Sequence, residues 1–182
     1  MGRTALLVID MLNPYEHEDA DKLVESVETA VPALTALRSR AADDDVLTIY
    51  VNDNHGDWES SRQERVAAAM DGARPDLVEP VLPRGADLFI AKTRHSIFYA
   101  TPLEYILGQE DVDRLVLTGQ VTEQCILYSA LDAHLRHLDV AVPRDAVAHI
   151  FEDLAEASLK MMERNMHAEV CEAGDCRLGE RH

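Results

Sequence analysis

Cysteine is scarce in this chain: among 182 residues only Cys125, Cys171 and Cys176 carry thiols. An odd count, in a chain long enough to build its own core, excludes a disulfide framework. Each thiol therefore needs its own explanation. Aromatic residues make up 5%, with a single tryptophan, Trp58. Positive charge is also short, with Lys+Arg 17 against Asp+Glu 34 and a formal net charge of −17. Such a chain repels phosphate backbones and anionic lipid headgroups, so neither nucleic acid nor a membrane surface is expected as a partner. Lysine occurs only at positions 22, 92 and 160. No apolar run reaches the ~18–20 residues that span a bilayer, and the first residues, MGRTALLVID, have too short an apolar stretch and no small-residue cleavage site. The expected location is the cytoplasm.

What is present is the make-up of an ordinary folded protein, 47% hydrophobic and 28% charged, and the length suits one domain spanning residues 1–182. Apolar runs of strand length alternate with segments of helical period. Ala5–Ile9 is unbroken and apolar, as a strand covered on both faces must be. Similar runs occupy 46–51, 88–91, 115–117 and 140–142, with a last short strand near 168–171. Leu23, Val27, Ala30, Leu34 and Leu37 mark one face of a helix, which Pro32 is expected to kink or restart. Thr101-Pro102-Leu103-Glu104 has the form of a capping box that opens a short helix ending at Gly108. Further helices fit 122–137, with Leu127, Leu131, Leu135 and Leu138 on one side, and 153–165, with Leu154, Ser158 and Met161. The alternation predicts an α/β fold, a single-domain three-layer sandwich of Rossmann-like kind with a parallel sheet. The tail 177–182 is expected to be mobile.

In such sheets ligands bind at the carboxyl ends of the strands, where strand order reverses. Asp10 ends the first strand, Lys92 the third, and Cys125 follows the fourth after a four-residue loop. With Thr122 as N-cap, Cys125 falls in a first helical turn, where the helix dipole favours a thiolate. A thiol nucleophile, a carboxylate base and a lysine are the groups that acyl transfer requires. From positions alone, a structural reading fits equally well: Cys125 as a small core residue, Asp10 as a strand-end cap and Lys92 as a solvated charge.

The run Thr118-Gly119-Gln120-Val121-Thr122-Glu123-Gln124-Cys125-Ile126, with Ser129-Ala130-Leu131-Asp132-Ala133 and Asp145-Ala146 after it, resembles the signature of the isochorismatase-like cysteine hydrolases, the family of the nicotinamidase-related amidohydrolases. Leu7-Val8-Ile9-Asp10-Met11, Lys92-Thr93-Arg94-His95-Ser96-Ile97-Phe98 and Thr101-Pro102-Leu103-Glu104 resemble it too, in the family's order and across nearly the whole chain. The resemblance implies a six-stranded sheet and a triad of Asp10, Lys92 and Cys125. It further implies a cis peptide between Gln120 and Val121, an oxyanion hole built from the Val121 and Cys125 N–H groups, and a homo-oligomer. Asp10 would take the thiol proton, Cys125 would attack an amide carbonyl, and water would hydrolyse the thioester. The branch that cleaves isochorismate typically lacks the cysteine, so Cys125 favours amide or carbamoyl C–N hydrolysis of a small-molecule substrate. The nicotinamidase branch adds a metal held by an Asp-x-His pair and a later histidine. Asp53-Asn54-His55 fits the pair, but no histidine follows before His95. The expectation is no metal and no other cofactor, with Asp53 and His55 the residual zinc candidates.

Asn54, Trp58, His95, Phe98 and Glu123 are expected to wall the substrate pocket, with His95 a wall rather than a base because Asp10 fills that role. Cys171 and Cys176, with His167 and His182, could be redox or metal sensors, but the Cys-x4-Cys spacing fits two unpaired thiols better. Asp145 is read as orienting a strand-end loop. The alternative to an amidohydrolase is a binding module or oligomeric scaffold that keeps the fold without the chemistry.

Overall fold

A computed structural model of the chain describes residues 2–57 and 59–179. Seven strands form one parallel sheet: β1 (Arg3–Ile9), β2 (Leu47–Asp53), β3 (Leu88–Lys92), β4 (Val112–Gln120), β5 (Asp139–Pro143), β6 (Val147–Ala148) and β7 (Glu169–Cys171). The order is β3-β2-β1-β4-β5-β7, and β6 pairs with the end of β4. The expected sixfold sheet is thus the main path, and β6 is a two-residue addition. It is too short to show in a hydrophobic pattern.

The β1 run explains the layering. Leu6 and Val8 face one side with Tyr50, Val116 and Ala141, where α1 (Ala20–Asp43) lays down Leu23, Val27, Leu34 and Leu37. Ala5, Leu7 and Ile9 face the other, against α4 (Leu103–Gln109), α5 (Leu127–Leu135) and α6 (Glu152–Met166). Period-two alternation in a strand buried on both faces feeds two cores at once. The remaining helices, α2 (Arg62–Met70) and the one-turn α3 (Pro75–Val78), lie in the long β2–β3 connection.

Several local expectations give way. α1 runs through Pro32 without interruption, and the proline ring lies on the exposed face. Thr101 forms no capping box: its hydroxyl donates to the Ile97 carbonyl at 2.6 Å, and α4 starts at Leu103. A capping box does exist, between Ser61 and Glu64 at the start of α2. Of the apolar face expected here, Leu127 and Leu138 pack against the core while Leu131 and Leu135 are exposed, and the small residues Ser129, Ala130 and Ala133 of α5 are buried. In α6, Ser158 is buried as expected, but Leu154 and Met161 are exposed and Ala155, Leu159 and Met162 are buried. In α5 the small side chains let the helix approach the sheet closely, and Leu131 and Leu135 are left outside.

The C-terminal segment is fastened up to Leu178. Arg40 donates to the carbonyls of Ala173 and Cys176, both at 2.7 Å, and Asp145 accepts the Ala173 N–H at 2.6 Å. Just beyond these contacts, in the segment expected to move, Leu178 is 2% exposed and serves as a buried apolar anchor. Residues 180–182, His182 among them, lie outside the described residues. Among the described residues no helix is long and apolar enough to cross a membrane.

Gly119 sits beside Ile9 where β4 meets β1, at φ +102. A Cβ there would stand 2.1 Å from the Ile9 carbonyl oxygen. Both strands are central, so neither can yield. Gly119→Ala is expected to lower stability by at least about 2 kcal/mol, read as a fall in the urea midpoint at constant slope.

Candidate active site

Strand order reverses between β1 and β4, and three polar side chains meet at the carboxyl ends there. Asp10 follows β1 directly, in the left-handed backbone region at φ +54. Its Oδ1 accepts the Asp53 N–H at 2.7 Å, and its carbonyl accepts the Gln120 amide at 2.7 Å. Lys92, the last residue of β3, is 1% exposed and reaches under β2 and β1, placing Nζ 2.8 Å from Asp10 Oδ2 and 3.6 Å from Cys125 Sγ. The register explains the reach, because Asp53 pairs with Lys92 across β2 and β3 and its carboxylate lies 3.7 Å from the ammonium.

Cys125 lies in a wide turn over Thr122–Ile126 that precedes α5. The Val121 carbonyl accepts the N–H groups of both Gln124, at 3.1 Å, and Ile126, at 3.2 Å. The second bond spans five residues, so this is a π-type turn rather than the expected α-helical start. Thr122 does not cap it. Its hydroxyl donates to Ala148 at 2.9 Å and ties the turn to β6. The Gln120–Val121 peptide is cis, and the Val121 N–H meets the Cys125 sulfur.

The electrostatics differ from those expected of a helix-start thiolate. Burial, then the neighbouring Asp10 charge, push the Cys125 thiol up to about 12, and Lys92 offsets only part of this. Burial also raises the Asp10 carboxyl, against the pull of Lys92. Burial alone would lower the Lys92 ammonium, but Asp10, Cys125 and Asp53 together hold it above its ordinary value. The site thus holds a thiol and a carboxyl that are both shifted upward, with one ammonium in contact with both.

The expected pocket residues part company. His95 is exposed, with Nδ1 3.9 Å from Cys125 Sγ and its ring 5.4 Å from that of Tyr128. Asn54 is buried at the rim, where its Oδ1 accepts the Gly56 N–H at 3.0 Å and its carbonyl accepts from Arg65. Glu123 points away from the sulfur: its Oε1 accepts the N–H groups of Ile150 and Phe151, each at 2.9 Å, as a brace between the Thr122–Ile126 turn and α6. Phe98 is buried in the core, with the Arg136 guanidinium 4.6 Å over its ring, because the chain around it is stitched to α5. Trp58 lies outside the described residues.

The metal-candidate pair is built differently from a ligand set. Asp53 Oδ1 accepts the His55 N–H at 2.7 Å and Oδ2 lies beside the Lys92 ammonium. Among the described residues no third histidine, cysteine or carboxylate completes a cluster with them. A fixed cation against a prospective ligand and two side chains in place of three or four do not fit a zinc centre.

Asn52 was not singled out in the sequence, and Gln120 was singled out for its peptide bond with Val121 and not for its side chain. Gln120 fixes the Asp10 backbone, and Asn52 holds both polar groups of Leu12, its Oδ1 at 2.9 Å from the N–H and its Nδ2 at 3.2 Å from the carbonyl. Polar residues that are fully buried at strand ends are the signal, visible here as the Asn52-Asp53-Asn54 run closing an apolar strand.

A parallel α/β sheet thus brings a carboxylate, a buried lysine and a thiol together at its switch point. A family model described as the isochorismatase domain matches residues 4–175, and the chain belongs to the isochorismatase family. It is 31% identical over 166 residues to an uncharacterized isochorismatase family protein, YaaI, of Bacillus subtilis (strain 168), covering 91% of this chain and 92% of that one. It is 30% identical over 167 residues to the maleamate amidohydrolase of Pseudomonas putida, covering 86% and 78%. Among solved structures, an isochorismatase-like hydrolase from Alkaliphilus metalliredigens superimposes with a TM-score of 0.77 at 26% identity, over 95% of this chain and 93% of that one. The chain is an enzyme, a hydrolase of the class acting on non-peptide C–N bonds.

Proposed function

We propose that this hydrolase opens the amide or carbamoyl C–N bond of a small molecule through a thioester on Cys125. The observation that carries the reading is the contact set around one buried ammonium, with Lys92 Nζ 2.8 Å from Asp10 and 3.6 Å from the Cys125 sulfur. A protonated thiol needs a base in direct contact when it attacks, and Asp10 is that base. The S–H proton passes to Asp10 as the sulfur bonds to the carbonyl carbon. The charge moves to the carbonyl oxygen, toward the N–H groups of Val121 and Cys125. Collapse expels the amine and leaves an acyl-cysteine, which water then hydrolyses. Lys92 keeps Asp10 ionised at rest and counters the negative charge that moves between carboxylate, sulfur and oxygen. No step requires a metal, and Asp53 and His55 serve the loop and Lys92.

The scaffold alternative is disfavoured by the same lysine. Taking an ammonium and a carboxylate out of water costs several kcal/mol per ion. A module that only binds would be as stable with apolar side chains there.

The reading is tested by acid-quenching turnover of an amide panel headed by maleamate, with the peptide containing Cys125 weighed by mass spectrometry and hydroxylamine added as a trap. The expected result is an acyl adduct on Cys125, or its hydroxamate. Turnover with neither overturns the covalent route.

A further inference from the structure

We propose that Cys171 and Cys176 form a second reactive site, a dithiol at the edge of the sheet that a hydroperoxide converts to a reversible disulfide. The site is separate from the triad and stands independently of the thioester reading. Cys171 closes β7 beside Pro143, and the chain then folds back in one tight turn, with the N–H groups of Asp175 and Cys176 both donating to the Glu172 carbonyl at 3.0 Å. That turn brings together two thiols whose Cys-x4-Cys spacing suggested no pairing. Both are free, their side chains are in hydrogen-bond contact, and both pack into the apolar cluster that α1 covers.

The groups around the pair suit a reactive sulfur better than core filling. Arg114 on β4 is 6% exposed, and its positive charge bears on both thiols. One of its terminal nitrogens donates to Glu169 at 3.0 Å, but its buried Nε has no hydrogen-bond partner among the described residues. A buried N–H left unpaired costs stability. A sulfur that loses its proton supplies the missing acceptor. The other charges facing the pair are the Glu169 carboxylate on β7, the Arg40 guanidinium near the end of α1, which donates to the Cys176 carbonyl, and Arg177, which donates to Glu169 at 3.4 Å.

Exposure divides the roles. Cys171 is half-buried and Cys176 is 0% exposed, so an incoming peroxide meets Cys171 first. An S–O bond forms as the O–O bond breaks, the other oxygen leaves as water or an alcohol with the thiol proton, and Cys171 becomes a sulfenic acid. The Cys176 sulfur then attacks the Cys171 sulfur. The S–S bond forms as the S–O bond breaks, and the hydroxyl leaves as water with the Cys176 proton. Two thiols are oxidised, one peroxide is reduced, and a dithiol reductant restores the pair. Burial, then the neighbouring Cys176, push Cys171 up to about 12, and burial raises Cys176 as well. The resting pair is therefore protonated, and its oxidation should quicken by about tenfold per pH unit as the thiolate fraction grows.

Both cysteines fall in one tryptic peptide, residues 165–177, so the test is direct. Folded wild type is treated with hydrogen peroxide from neutral pH to about pH 9, alkylated, digested and weighed. The expected peptide is two hydrogens lighter than the dithiol, forms faster as pH rises, and regains both hydrogens with dithiothreitol. The oxidised protein is expected to melt about 5 °C higher, because the bond closes a loop that the unfolded chain must keep. In Cys176→Ser the reaction is expected to stop at the Cys171 sulfenic acid, which dimedone traps. A peptide that stays a dithiol at every pH overturns the proposal. So does one that only gains oxygen, or a linkage that forms only once the protein has melted.

Discussion

Cys125→Ala is expected to reduce turnover by on the order of 10⁶-fold, the scale on which deleting the nucleophile of a covalent hydrolase acts, while the protein stays folded. The two halves of this expectation come from different parts of the structure. The sulfur is the only atom removed, and Ala fits the turn, whose shape is set by the Val121 carbonyl and by Thr122 bonding to Ala148. Deleting one small buried group costs about 1 kcal/mol. The chemistry, by contrast, has no substitute, since Asp10 and Lys92 can activate a nucleophile but neither presents one. Assay of the purified variant against an amide turned over by wild type, with a thermal melt alongside, checks both halves. Turnover within tenfold of wild type, with a native melt, would shift the chemistry to water activated by Asp10.

The layers were legible in the sequence because strands buried on both faces leave unbroken apolar runs, as Ala5–Ile9 does. Helix faces were harder to read. In α5 the leucines follow a helical period, yet the structure buries Ala130 and Ala133 and exposes Leu131 and Leu135. Periodicity locates a helix but does not say which stripe meets the sheet when the buried stripe is made of small residues. β6 was invisible for a different reason: two residues held by two pairings with β4 have no pattern of their own.

In the site, Asp10, Lys92 and Cys125 were legible as reactive residues at the ends of strands, and the structure brings them within hydrogen-bond contact. Their charge states were not legible. Proximity to a helix start suggested a thiolate, but that reasoning lacks burial and the distance to a carboxylate, and both act the other way. The pocket fared worst because adjacency in sequence does not set direction. Glu123 is two residues from the nucleophile yet turns back to the loop before α6, and Phe98 is three from His95 yet lies beneath Arg136.

Asp10→Asn is expected to move two measurements in opposite directions. Turnover should fall by about 10²–10⁴-fold, because the amide cannot accept the thiol proton that a positioned base takes. Alkylation of Cys125 by iodoacetamide should instead shift to lower pH. The sign follows from the causes of the raised thiol: burial is unchanged by the substitution, the Asp10 charge that held the proton on sulfur is gone, and Lys92, which favours the thiolate, remains. Asp53 stays 3.7 Å from Lys92 Nζ, so a carboxylate still faces the ammonium. Alkylation followed peptide by peptide serves as the measurement, with Cys171 and Cys176 as internal references whose profiles should not move. Both thiols lie above their ordinary values through burial, at the edge of the sheet away from Asp10. A shift of Cys125 to higher pH would mean that Lys92 loses its proton once Asp10 is neutral, and the lysine would then be a dependent of the carboxylate rather than a fixed charge. Lost turnover with unchanged alkylation would leave Asp10 its role as base and remove its charge from the control of the thiol.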